Sequence, residues 1–180
     1  MSFTAVNRLS GEVKASADPR EQQWQRLLHD NGAALGRLAG SHVRSASDRD
    51  DLLQEIAIAL WQSLPSFRGE CSERTFLFRI AHNRAIAYLT RNAPRAERAD
   101  DDLEIKDPSP DPETFLVREE GGKRLADAVR ALPLLYRQVV VLMLEGLEYG
   151  EIAEVMGISE SNVGVRLNRA RQMLRRMMTK

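Results

Sequence analysis

The residues best suited to chemistry lie in the last third of the chain. Tyr149, Ile152, Ala153, Met156, Gly157, Ile158, Ser159, Val163 and Leu167 are spaced as a short helix, a glycine turn and a longer helix. Ala153 is small enough to let two helices cross closely, Gly157 supplies a positive φ, Ser159 caps the second helix, and Val163 and Leu167 dock it. The pattern predicts a helix-turn-helix. Outside its docking positions the second helix carries Ser161, Asn162, Arg166, Asn168 and Arg169. Hydroxyl, amide and guanidinium groups there can reach base edges and phosphates in a major groove. The alternative is a basic helix that simply stays solvated.

Other chemistries find no residues to carry them. Cys71 is the single cysteine, which excludes an intramolecular disulfide, and His29, His42 and His82 are scattered singly, so no zinc ligand set forms. A glycine-rich phosphate loop, a Ser/His/Asp arrangement and paired-ligand spacing are all missing, so neither an enzyme nor a cofactor is expected. A reducing cytoplasm suits this cysteine usage. No apolar run resembles a signal peptide or reaches the length of a membrane span.

Formal net charge is zero over 180 residues, so attraction to nucleic acid has to be read locally. Between Arg68 and Arg95, six arginines oppose only Glu70 and Glu73, and from Glu160 onward Arg166, Arg169, Arg171, Arg175, Arg176 and Lys180 oppose Glu160 alone. Between these basic regions lie Glu97, Asp100, Asp101, Asp102, Glu104, Asp107, Asp111 and Glu113, against Arg98 and Lys106.

The elements that must position these groups are helical. Hydrophobic residues make up 43% of the chain and aromatic residues 6%, with Leu, Ala, Arg and Glu frequent, which favours an all-α protein over a β sandwich. Residues 1–20, rich in Ser, Ala and Asp, are expected to be a disordered tail. Trp24, Leu27, Leu28, Leu35 and Leu38 mark a first helix. Leu52, Leu53, Ile56, Leu60 and Trp61 mark a second, stopped by Pro65; Phe76, Leu77, Ile80, Ala81, Tyr88 and Leu89 mark a third, ending before Pro94. Residues 21–92 thus form one small domain. Residues 93–114 hold four prolines and many acids, the composition of a flexible linker. Residues 115–180 form a second helical domain, in which Pro133 suits the first turn of a helix running to Gly146. The run Val139–Leu144 could also be a buried strand, but its helical flanks favour a core helix.

A helix-turn-helix by itself does not say which DNA transaction is served; the first domain does. The stretch DRDDLLQEIAIALWQSLPSFRGECSERTFLFRIAHNRAIAYLTR resembles region two of the extracytoplasmic-function group of RNA polymerase sigma factors. LPLLYRQVVVLMLEGLEYGEIAEVMGISESNVGVRLNRARQMLRR resembles region four of the same group. The two matches cover about half the chain in the family's order and spacing.

The resemblance implies a factor that binds core RNA polymerase and promoter DNA, with an anti-sigma protein as a further partner. It implies that the helix bearing Asp50, Asp51, Gln54 and Glu55 docks on the polymerase's largest subunit, although acids at a helix start are also favoured by the helix dipole. It implies that the Ser66–Thr75 loop, with Arg68, Arg74, Arg79, Asn83, Arg84 and Tyr88, opens the minus-ten DNA and holds a base turned out of the stack. Phe76 and Tyr88 can equally be core residues. The helix with Ser161, Asn162, Arg166, Asn168 and Arg169 would read the minus-thirty-five element. In the family the linker threads near the RNA path, where its acids could mimic RNA; a solvated spacer is the alternative. A coil of 22 residues spans about 26 Å on average and about 70 Å when stretched, enough to bridge two elements drawn about 70 Å apart.

Three positions depart from the family pattern. Phe76 stands where Trp is common, Glu148 where Ser or Thr usually precedes the motif's first helix, and Gly164 where Lys is frequent. A mid-helix glycine costs about 1 kcal/mol and removes a phosphate contact. It implies either weak affinity or a close backbone approach. Cys71 lies in the minus-ten loop, where redox control or an ordinary free thiol are the two readings. The competing function is a free-standing helix-turn-helix regulator, which would need a ligand pocket or a dimer seam in residues 21–92; neither is evident.

Overall fold

A computed structural model of the chain describes residues 18–96, 122 and 124–179. Among these residues the secondary structure is helical, with no strand. The chain divides into two compact units, Met1–Asp101 and Asp102–Lys180. Of the tail expected at 1–20, residues 1–17 lie outside the described residues, as does most of the expected linker.

In the first unit, α1 spans Pro19–His42, α2 Ala46–Ser63 and α3 Glu73–Ala96, with a 3-10 turn at Leu64–Ser66. Helix α1 starts two residues before the expected domain edge. Asp18 accepts from the Arg20 amide at 3.1 Å as N-cap, and Pro19 occupies the first turn, where its missing N–H costs nothing. Ser45 caps α2 by accepting from the Asp48 amide at 3.1 Å. Helix α3 carries on through Pro94 to Ala96, so residues 93–96 are helix, not linker. A proline in the last turn removes its own hydrogen bond and crowds the carbonyl four residues back, a disturbance confined to the helix end that leaves the preceding turns intact.

The three helices pack pairwise around Leu35, Leu38, Leu52, Ile56, Leu60, Leu77 and Phe78, each essentially without exposure. Burying one such side chain contributes about 2–3 kcal/mol. Phe78, which the helical pattern did not mark, is fully buried at this centre, whereas Ile80, which it did mark, is only half-buried. Trp24 and Trp61 meet edge to face, with centroids 5.9 Å apart, and the Trp24 indole donates to the Ala57 carbonyl at 2.8 Å.

In the second unit, helical residues 124–131 precede α4 (Leu134–Leu144), α5 (Tyr149–Met156) and α6 (Glu160–Met178). Val139–Leu144 is helix, with Val139 and Leu142 buried in the core. Pro133 is the cap residue of α4 and not its first turn. Gly146, at φ 80°, lets the Leu147 amide return to the Leu142 carbonyl at 3.2 Å and end the helix.

Candidate nucleic-acid and polymerase interfaces

The helix-turn-helix follows from local chemistry. Gly157 takes φ 65°, and the Ile158 amide donates back to Ala153 at 3.0 Å. Ser159 caps α6, accepting from the Asn162 amide at 3.3 Å. Val163, Leu167 and Ala170 are buried against α4 and α5. Where the family pattern has Ser or Thr, the Glu151 carboxylate accepts from the Glu148 amide at 2.9 Å, so a first-turn acid satisfies the helix start.

With its apolar stripe spent on docking, α6 turns Ser161, Asn162, Asn168 and Arg169 to solvent. Arg166 is half-buried, its Nε donating to Asn162 Oδ1 at 2.9 Å. That bond pre-orders both side chains on one strip of the helix. Gly164 faces Tyr149: a Cβ added there would lie 3.7 Å from Tyr149 Cε2, an ordinary contact. Val165, 49% exposed between these polar residues, is an apolar side chain opposite the docking stripe, a break in the helical pattern that the sequence reading passed over. Apolar contact of that kind suits a thymine methyl.

In the first unit the Ser66–Thr75 loop is fastened at both ends. The Phe67 amide donates to Leu64 at 3.1 Å, and the Phe67 ring packs on Phe76 with centroids 4.8 Å apart. At the far end Ser72 Oγ accepts from the Thr75 amide at 3.0 Å and shares a 2.7 Å bond with the Thr75 hydroxyl. Gly69, at φ 75°, makes the bend between them. Arg68 lies exposed on this loop. Arg79 stacks over Phe76 at 5.5 Å and Arg74 over Phe78 at 5.1 Å, so core rings orient both cations. Asn83 and Arg84 are exposed one turn further along α3.

Tyr88 is placed differently. Its ring is buried, and its hydroxyl donates to Asp48 Oδ1 at 3.0 Å. Burial, then the Asp48 bond and neighbouring carboxylates, push the hydroxyl up to about 12. The ring packs in the core and joins α3 to α2, as the core reading of Tyr88 expects. Phe76, also buried, is core as well.

On α2, Asp51 and Gln54 are exposed and Asp50 is half-exposed. Glu55 is half-exposed and engaged in an ion pair with Arg91, which also lies over the Tyr88 ring at 5.5 Å. Ile58, 50% exposed, continues the Asp51–Gln54 stripe one turn on. Ile58 stands outside the Leu52, Ile56 and Leu60 stripe of α2, an apolar residue on the polar face that the sequence reading did not single out.

His82 is buried in α3, and burial, followed by the His42 charge, holds it down at about 4. Among the described residues no helix is long and apolar enough to cross a membrane, and no group of three His, Cys, Asp or Glu could hold a metal ion.

A three-helix unit followed in sequence by a helix-turn-helix unit has relatives of known kind. Residues 27–95 match the family described as Sigma-70 region 2, and residues 122–174 that described as Sigma-70, region 4. The ECF RNA polymerase sigma-E factor of Haemophilus influenzae is 34% identical over 151 residues, covering 77% of this chain and 79% of that protein. The Escherichia coli sigma-E factor is 32% identical over 149 residues, covering 77% of each chain. The structure of CnrH in complex with the cytosolic domain of CnrY aligns with TM-score 0.63 and 26% identity over 97% of this chain and 94% of that one. The sigma factor RpoE of Bartonella quintana, solved with the anti-sigma factor NepR, shares the fold with TM-score 0.67 and 20% identity, over 86% of this chain and 96% of that one.

Fold and sequence together define a sigma-70-type transcription initiation factor. The chain belongs to the ECF RNA polymerase sigma factors, which bind core RNA polymerase and direct promoter-specific initiation.

Proposed function

We propose that the two units divide the work of initiation. Residues 21–92, with α3 continuing to Ala96, dock on core polymerase and read and open the minus-ten element; residues 115–180 read the minus-thirty-five element; the acidic stretch between them is the linker. Asp51 and Gln54, with Asp50 and Glu55 beside them, form the polymerase-docking face of α2. Arg68, Arg74, Arg79, Asn83 and Arg84 engage the opened strand, with Tyr88 holding α3 in place behind them. Ser161, Asn162, Arg166, Asn168 and Arg169 contact the upstream duplex. The observation that carries the reading is α6 itself, whose buried Val163, Leu167 and Ala170 leave Ser161, Asn162, Asn168 and Arg169 in solvent, with Arg166 at the edge of the docked stripe.

The protein works without catalysing a reaction, in the cytoplasm where the polymerase is. An anti-sigma protein controls it. This last point draws support from related structures, CnrH carrying the cytosolic domain of CnrY and the Bartonella RpoE carrying the anti-sigma factor NepR.

Transcription with purified core polymerase and genomic templates tests the whole reading, since a free-standing regulator would not restore promoter-specific initiation. Asp51→Lys should weaken binding to core polymerase while leaving upstream DNA contact intact. Arg166→Ala should do the reverse and lower the salt slope of DNA binding by about 1, the signature of one lost phosphate contact. Unchanged core affinity in the first and an unchanged salt slope in the second would overturn these assignments.

A further inference from the structure

The loop that reads the minus-ten strand ends where α3 begins, and the first residue of α3 is held by a helix nearly fifty positions away. Glu73 Oε1 accepts from Gln23 Nε2 at 2.7 Å and from Arg26 Nη2 at 2.9 Å, and Glu73 Oε2 accepts from Arg26 Nη2 at 2.8 Å. Both donors sit on α1. The ion pair is half in solvent, with side chains 56% and 35% exposed for Arg26 and Glu73. An exposed pair of this kind adds little to stability, and α1 and α3 are already packed through the apolar core. As an acid in the first turn, Glu73 would be favoured by the helix dipole without any partner. What the partners add is geometric: two donors on a neighbouring helix fix the carboxylate in place, and with it the backbone at the end of the loop.

We propose that Glu73, clamped by Gln23 and Arg26, is a positioning residue for promoter opening. The inference rests on the reading of the Ser66–Thr75 loop as the minus-ten reader. The loop's entry is pinned by the Phe67–Phe76 contact and its exit by Ser72 and Thr75. Between them Arg68, Gly69 and Glu70 are exposed. In so short a span a shift of the α3 start passes directly to the apex, and to Arg74 in the next position. Catching a base as it leaves the stack needs donors already in place, and misplacement by about 1 Å can cost up to a hundredfold in rate.

The test uses the full chain in holoenzyme on a duplex promoter selected by run-off transcription from genomic DNA. A 2-aminopurine in the non-template strand reports opening. Four variants are compared with wild type: Glu73→Ala, Arg26→Ala, the exchange Arg26→Glu with Glu73→Arg, and deletion of Gly69 and Glu70. Both alanine variants should open on the order of tenfold more slowly, with unchanged affinity for core polymerase and an unchanged thermal midpoint. The exchange should recover most of the rate. Wild-type opening in the alanine variants beside slow opening in the loop deletion would overturn the clamp and leave the loop's role standing. Wild-type opening in the loop deletion would overturn the reading of the loop, and the clamp with it. Slow opening that accompanies a lowered thermal midpoint and is not recovered by the exchange would reduce Glu73 to a structural residue and refute the proposal.

Discussion

The Tyr88 hydroxyl donates to Asp48 Oδ1 across 3.0 Å, joining the middle of α3 to the first turn of α2. The helix that carries the arginines proposed to engage the opened strand is thereby tied to the helix that carries the acids proposed to dock on polymerase. Tyr88→Phe should lower the stability of the first unit by about 1 kcal/mol, the worth of one such bond. Trp24 and Trp61, the chain's only tryptophans, both lie in that unit and report its unfolding by fluorescence. Because the folded Tyr88 is raised to about 12 from an ordinary 10, its contribution is present below pH 10 and lost as pH rises through 12. Wild type should therefore lose more stability than Tyr88→Phe over that interval, and parallel curves would remove Tyr88 from the balance.

His82 works in the opposite pH range. Its folded value of about 4 lies below the ordinary 6.5, so the neutral ring's contribution is whole above pH 6.5 and fades as pH falls through 4. The shift corresponds to stability on the order of 3 kcal/mol lost across that window. Denaturant unfolding followed by tryptophan fluorescence at pH 7 and pH 4 should show the loss, and His82→Gln should flatten it. An equally steep decline in the variant would assign acid sensitivity to other groups.

Ile58 is 50% exposed beside Asp51 and Gln54, where an apolar side chain gains nothing from water. An apolar anchor within a charged rim is the usual make-up of an interface hot spot. Ile58→Ala should weaken core-polymerase binding by about tenfold, and its effect on stability should stay within about 0.5 kcal/mol. Titration of labelled core polymerase measures the first and thermal unfolding the second. A large loss of stability without a loss of binding would make Ile58 part of the fold.

Gly164→Ala should stabilise the second unit by about 0.5–1 kcal/mol, since α6 regains helix propensity and the added Cβ meets Tyr149 at an ordinary 3.7 Å. Binding to upstream duplex then separates the two meanings of this glycine. Affinity held or raised means the glycine costs helix stability and nothing more, whereas affinity lost despite a more stable helix means that DNA backbone comes close at this point.

The local elements were legible in the sequence because they depend on residues close together along the chain. Helical spacing gives α1, α2, α5 and α6; Gly157 and Ser159 fix the turn and cap of the DNA-reading motif through bonds spanning five residues or fewer. The resemblance of both halves to sigma regions followed from the same short patterns. Helix limits were less legible: Pro94 reads as a stop, yet the helix runs on to Ala96, because a proline this near the end disturbs only the last turn.

Tertiary structure alone decided what each side chain is for. Periodicity marks both Tyr88 and Phe76 as apolar helix positions, and packing buries both, while Ile58, off the core stripe of its helix, is left in solvent. Glu55 and Glu73 look like acids near helix starts until Arg91 and Arg26, 36 and 47 residues away, supply their partners. Burial and ion pairing depend on what the rest of the chain brings to a point in space. A composition of 26 basic and 26 acidic residues fixes how many pairs are possible; the packing of α1, α2 and α3 selects the long-range ones, Arg26–Glu73 and Arg91–Glu55.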